Sequence, residues 1–222
     1  MQNQVYPTDK TVRTVCSILQ SQYLISSLGN KSNPLDEYLY ILLSLRTHEK
    51  GTKSAYRAFK KHYPSWSAAE KASPMELSKV ITCAGLSKQK ANNIYKTLKY
   101  LKSEFGSVSM AKLKNLPKDE VERYLLHLPG VGLKSAKCIM MFSFGFNVLP
   151  VDVHVFRLSS RLGWCNCGKS KDAHVLMSKI VPKDLYYSFH VLCVQHGRNV
   201  CRGHHPSCEY CCISGYCKFQ KS

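Results

Sequence analysis

Acidic residues are scarce in this sequence. Fourteen Asp and Glu stand against 32 Lys and Arg, a formal net charge of +18 at pH 7. Solubility alone needs only a mixed-sign surface, so this much self-repulsion points to a polyanionic partner, nucleic acid first and an anionic membrane surface second. Long hydrophobic runs are missing too. The longest apolar-rich stretch, "CIMMFSFGFNVLPV", is too short to span a bilayer and contains Asn147 and Pro150. The N-terminus, "MQNQVYPTDKTVR", has no apolar signal core. The expectation is a soluble intracellular monomer without a membrane partner, its compartment unassigned. Alternating strand patterns, low-complexity linkers and repeats of 20–50 residues are also wanting.

Cysteine, by contrast, is plentiful. An odd count of 11 in a chain without a secretion signal argues against a disulfide framework and for metal or cluster ligation. Cys201, Cys208, Cys211 and Cys217 are spaced C-x6-C-x2-C-x5-C. Four thiolates so close in sequence suit either tetrahedral zinc or a [4Fe–4S] cluster. Cys212, His204 and His205 are read as a spare thiol and surface imidazoles. Cys165 and Cys167 are too close together for a separate site, and Cys16, Cys83, Cys138 and Cys193 lie at core positions of helical faces.

At 222 residues the chain can form one or two compact domains. Helical spacing dominates it. In "SKQKANNIYKTLKYLKSEFG", Ala91, Ile94, Leu98, Leu101 and Phe105 recur at steps of three and four, with Gly106 as C-cap. "PKDEVERYLLHL" starts at Pro117 and carries Asp119 and Glu120 at the positive end of its dipole. "PLDEYLYILLSLR", "PMELSKVITCAG" (stopping at Gly85) and "KDLYYSFHVLCVQHG" (ending at Gly197) read as further helices. The fold class expected is all-α, with about ten helices.

Between two of these helices lies "LPGVGLKSA", residues 128–136. Gly130 and Gly132 flank Val131 and permit backbone angles or close approaches that a side chain would block. The N–H groups at the next helix start are positively polarised and suit a phosphate oxygen, with no base being read. A plain helix–helix turn with Val131 as a plug explains the same residues equally well.

"LPGVGLKSA" followed by "VDVHVFRLSSRLG" resembles the helix-hairpin-helix glycosylase superfamily, in its endonuclease III branch, whose motif is LPGVG-x-K-x-A with an aspartate in V-D-x-H. "LLSLRT", "GLSKQKANNI" and "QHGRNVC" extend the likeness over most of the chain. The resemblance implies two helical lobes flanking a DNA-binding cleft. One is a six-helix lobe at about 30–145 with its helix-hairpin-helix at about 117–145. The other joins 1–29 to 146–222 and carries a cluster loop at 201–217.

It further implies that Lys134 and Asp152 are catalytic. A carboxylate stabilises the oxocarbenium-like sugar, and a neutral amine attacks C1′ to form a Schiff base. Free lysine titrates at about 10.4, so the amine must be made easier to deprotonate. A helix N-terminus and a dehydrated pocket both do this. Lys137, one turn on, is expected to meet phosphate or solvent. Asp152 is also a natural helix N-cap, a role compatible with catalysis.

The family's loop spacing favours the [4Fe–4S] cluster over zinc, there to fold a coreless tail and present Arg198, Arg202 and Lys218 to phosphates. The base must be flipped out, and alignment nominates Arg46 and Leu86 to fill the gap. Here the chain departs from the family, which often has Gln at the wedge and Asp three residues on, where this chain has Arg46 and Glu49. Arginine can fork onto guanine, so the partner-base preference is open.

The expected function is a bifunctional DNA glycosylase and abasic-site lyase of base-excision repair. Its expected partners are double-stranded DNA carrying oxidised or damaged pyrimidines, and abasic sites. One rival is a mismatch-specific thymine or uracil glycosylase on the same scaffold. Another is a non-catalytic helix-hairpin-helix DNA-binding protein. A zinc-stabilised binding protein is a third. An adenine-specific mismatch glycosylase fits less well, since that group lacks the lysine and adds a C-terminal domain, whereas this sequence ends five residues after Cys217.

Overall fold

The computed structural model describes residues 6–168 and 170–219, the side chain of Ser170 excepted. Eleven α-helices and four short 3-10 turns occur among the described residues, with no strand. The all-α expectation holds, with one helix more than the sequence suggests. The chain divides into two compact units, residues 30–146 and the pair of segments 1–29 and 147–222. The first five and last three residues of the latter lie outside the description.

In the 30–146 unit, α2 (Pro34–Ser44) begins at Asn33, whose side chain accepts the N–H groups of Leu35 and Asp36, with Pro34 in the first turn. It is apolar nearly all round and therefore central: Leu35, Leu39 and Leu43 are at most 1% exposed. Around it come α3 (Glu49–His62), α4 (Trp66–Lys71), α5 (Pro74–Val80), α6 (Ser87–Phe105), α7 (Lys118–His127) and α8 (Leu133–Ser143). The spacing read from α6 places Ala91, Ile94, Leu98 and Leu101 in the core. Gly106 ends the helix with φ +70°, the left-handed C-cap that glycine adopts without strain.

Helix α5 is shorter than expected. A capping box between Ser73 and Glu76 starts it, but it stops at Val80 rather than at Gly85. Val80, Ile81 and Thr82 are consecutive β-branched residues, poor helix formers. Ile81 and Ala84 turn into the core instead, joined by the Ala84 N–H donating to the Ile81 carbonyl. Cys83, between them, is exposed, which corrects its assignment to the core; Cys16, Cys138 and Cys193 are buried.

The other unit contains α1 (Asp9–Gln22), α9 (Val153–Arg161), α10 (Ser170–Ile180) and α11 (Tyr186–Asn199). Val12, Val15 and Leu19 of α1 and Phe189, Leu192 and Cys193 of α11 are wholly buried. Helix α11 runs two residues past Gly197, so this glycine is not a helix stop. It allows a close approach instead: a Cβ there would meet His154 Nδ1 at 2.5 Å and Arg157 Nη2 at 3.0 Å. Residues 200–219 contain no α-helix, and among them only Cys201 and Ile213 are buried.

Candidate active site and cysteine pocket

The hairpin is built from α7, the turn 128–132 and α8. Leu128 and Leu125 anchor its first arm, and Ala136 and Ile139 its second. Gly130 has φ +80°, and a Cβ there would lie 2.5 Å from Asn93 Nδ2 and 2.9 Å from Leu42 Cδ1. Both conformation and space thus require glycine at 130. Tyr38, buried in α2, fixes the turn from below. Its hydroxyl lies 3.1 Å from the Pro129 carbonyl, 3.3 Å from the Asn93 carbonyl and 2.8 Å from Thr97 Oγ1. Gly132 serves differently. It is exposed, caps the start of α8 in extended conformation, and has no atom within 4 Å of where a Cβ would stand. No side chain caps α8, so its first N–H groups and their share of the dipole face open space beside Lys134, which is half-buried. Lys137, one turn on, is also half-buried, and burial pushes its ammonium down.

Under the same helices lies Glu37, wholly buried in α2. Burial raises its carboxyl to about 7, opposed by hydrogen bonds from the Asn30 amide and the Lys31 N–H and by the charges of Lys134 and Lys31. Desolvation wins over these donors because the side chain reaches no solvent.

Arg46 and Leu86 sit on two loops of the same unit, both exposed, both with left-handed backbones at φ +51° and +60°. A left-handed leucine or arginine is costly and marks a conformation held by its surroundings. Leu86 is 51% exposed, so it is no core residue. Lys90 of α6 stands beneath these loops, 3% exposed, and burial pushes its ammonium down to about 8.

In the other unit, Asp152 is the N-cap of α9. Its Oδ1 accepts the N–H groups of His154 and Val155, each at 2.9 Å, and the side chain is half-buried. Lys134 and Asp152 thus belong to different units.

Cys201, Cys208, Cys211 and Cys217 line one small cavity of about 20 Å³. Leu158, Leu162, Val200, Pro206, Ile213 and Phe219 supply an apolar wall, and Arg161 adds a cation. Among the described residues no three His, Cys, Asp or Glu side chains are grouped to hold one metal ion. The donor set nevertheless suits an iron–sulfur cluster: four thiols border one apolar space. Two side chains orient the sulfurs. Arg161 Nη1 donates to Cys201 Sγ at 3.1 Å, and His196 Nε2 lies 3.5 Å from Cys211 Sγ. Burial lowers His196 to about 4, so its ring is neutral; Nδ1 lies 3.1 Å from the Tyr23 hydroxyl, and a hydroxyl donating there puts the ring proton on Nε2, facing the sulfur. Of the tail residues named from the sequence, Arg198, Arg202 and Lys218 are exposed. Lys218 also lies along Gly163, where a Cβ would meet its Cδ at 2.4 Å.

Comparison with known proteins meets this geometry. Residues 40–183 match the HhH-GPD superfamily of base excision DNA repair proteins. The chain belongs to that superfamily. It is similar to the endonuclease III of Thermotoga maritima, 30% identical over 191 residues that cover 86% of this chain and 85% of the relative. A non-covalent endonuclease III–DNA complex superposes with TM-score 0.83 at 25% identity, covering 97% of both chains. A trapped covalent endonuclease III–DNA intermediate superposes with TM-score 0.84 at 25% identity, covering 97% of this chain and 98% of that one.

Several residues of this HhH-GPD chain escaped the sequence reading: Glu37, Thr47, Lys90, Arg157, Arg161 and His196. Two carried a signal. Glu37 shares a helical face with Tyr40 and Ile41 in a largely apolar helix, and Lys90 falls on the same stripe as Ile94 and Leu101. No helix among the described residues is long and apolar enough to cross a membrane.

Proposed function

We propose that this chain is a bifunctional DNA glycosylase and abasic-site lyase acting on damaged pyrimidines in duplex DNA. The observation that carries the reading is the seat of Lys134: second residue of an uncapped helix, behind an exposed glycine turn. The N–H groups of that turn bind backbone phosphate, with Gly132 leaving the approach open. The nucleotide swings out, and Arg46 and Leu86 fill the space it leaves. As the glycosidic bond breaks, the Asp152 carboxylate stabilises the positive sugar. The Lys134 amine bonds to C1′, and the base departs with the bonding electron pair and takes up a proton. The nitrogen then gives up one proton, and the C1′–O4′ bond breaks as O4′ takes up a proton, which opens the ring to a protonated Schiff base. Removal of a C2′ proton then expels the 3′-phosphate and nicks the strand. Asp152 is suited to this work because its cap bonds hold Oδ1 in a fixed direction.

The four cysteines hold a [4Fe–4S] cluster on this reading, supported by the one cavity they share and by the Arg161 donor to the Cys201 sulfur. Such a cluster crosslinks the 201–217 loop, which has little core of its own, and exposes Arg198 and Arg202 to DNA phosphates.

Borohydride tests the chemistry. The wild-type chain should crosslink to a duplex with one abasic site, and Lys134→Ala should not. Crosslinking of the variant through another amine overturns the role of Lys134. A second reading, removal of thymine or uracil opposite guanine, draws on the exposed Arg46, whose guanidinium can fork onto guanine O6 and N7. Duplexes each carrying one lesion or one mismatch separate the two.

A further inference from the structure

The loops 45–48 and 84–86 meet over one buried cation. Lys90 Nζ donates to the Leu43 carbonyl at 2.7 Å, the Leu45 carbonyl at 2.7 Å and Thr47 Oγ1 at 2.8 Å. An ammonium has three donors, and all three are used. Thr47 Oγ1 also accepts the Gly85 N–H at 3.1 Å, while its own proton faces the Leu45 carbonyl at 3.3 Å. The loops interlock through two glycines as well. A Cβ on Gly85 would lie 2.9 Å from the Arg46 carbonyl, and one on Gly51 would lie 2.8 Å from the Cys83 carbonyl. Immediately beside this knot stand the left-handed Arg46 and Leu86.

We propose that Lys90 and Thr47 are positioning residues that lock Arg46 and Leu86 together in the backbone conformation from which they enter a duplex. The inference rests on the wedge role given to those two residues above. A helix end could be closed with solvent or a glycine at no electrostatic cost. Burying an ammonium is expensive unless its geometry is fully matched, and here residues 43–47 match it, with Thr47 Oγ1 passing the link on to the Gly85 N–H of the second loop. Most of the unit's core is apolar, with Glu37, Thr52, Lys90, Thr97 and Ser135 its buried polar side chains. What the crosslink fixes is local. The Leu43 and Leu45 carbonyls turn toward Nζ, so the chain must reverse at Arg46; Thr47 then carries that constraint to Gly85, one residue before Leu86. The two tips are therefore set as a pair, and a base gap approached by one is approached by both.

The test uses the full chain with two duplexes of one sequence, undamaged or bearing a tetrahydrofuran abasic analogue. Lys90→Met and Thr47→Val should each lower the preference for the analogue by about tenfold, the scale of one unsatisfied buried group. Binding to the undamaged duplex, which relies on phosphate contacts, should stay within about twofold. On a cleavable abasic duplex the loss should appear in KM, with kcat at saturation retained. Thr47→Ser, which keeps the hydroxyl, should restore wild-type preference. Should Lys90→Met melt before assay, Thr47→Val against Thr47→Ser decides. Wild-type preference in Thr47→Val, or equal loss on both duplexes, overturns the proposal. A wild-type chain that neither prefers the analogue nor nicks abasic DNA removes the proposed function itself, and this inference with it.

Discussion

Arg161 donates through Nη1 to the sulfur of Cys201 at 3.1 Å and, from the same nitrogen, to the Arg202 carbonyl at 2.8 Å. A charged donor on a thiolate favours its ligating form and fixes its direction. Replacing Arg161 with Leu should therefore weaken iron retention by about tenfold, the low end for lost partners of metal ligands. Iron per chain during dialysis against a chelator measures it. Retention equal to wild type would show that the guanidinium only tethers the loop.

The helix cap formed by Asp152 and the catalytic role proposed for it can be separated by substitution. Asparagine caps a helix about as well as aspartate, whereas alanine costs about 1 kcal/mol. Asp152→Asn should melt close to wild type yet lose most base-release activity, and Asp152→Ala should lose both. Melting curves and single-turnover kinetics on one lesion duplex check the split. Equal activity in Asp152→Asn and wild type would leave only the cap.

Glu37 gives stability a pH dependence. Its carboxyl is raised to about 7 in the fold, from 4.5. Between these values the folded state holds the proton that the unfolded chain releases, so stability is present at pH 4.5 and falls as pH rises through 7. The ceiling is a few kcal/mol, on the order of 1.4 kcal/mol per pKa unit. Glu37→Gln should flatten that slope in thermal melts between about pH 5 and 8. It should also lower stability throughout, because the Asn30 amide and the Lys31 N–H meet different carboxyl oxygens and the glutamine NH2 cannot accept at either place.

The 201–217 loop should depend on its metal more than the helices do. Only Cys201 and Ile213 are buried there, against the apolar cores of the two units. Removing iron should open the exposed Arg202 and Lys218 to trypsin while residues 30–146 stay intact. Mass spectrometry of the digest reads this, and cuts spread evenly over the helices would contradict it.

Helices were legible wherever one apolar stripe decided them, as in α6. The misreadings arose where a local rule met a tertiary demand. Gly197 looks like a stop signal but is a contact point for His154 and Arg157. Cys83 falls at a core spacing in a helix that ends three residues before it. Within the candidate site, "LPGVGLKSA" could be read as a turn before a helix start because its glycines and Lys134 are contiguous. The bond from Lys90 to Thr47 spans 43 residues and leaves no periodic trace. Arg161 is similar: its spacing from Cys201 says nothing until α9 lies along the cysteine loop.

Arg157, Arg161 and Lys90 carry one further consequence. Their cationic groups are turned onto carbonyls, a sulfur and a hydroxyl inside the protein. They release no counterions from a phosphate chain. The salt dependence of duplex affinity will accordingly reflect fewer charges than the net +18 of the sequence suggests.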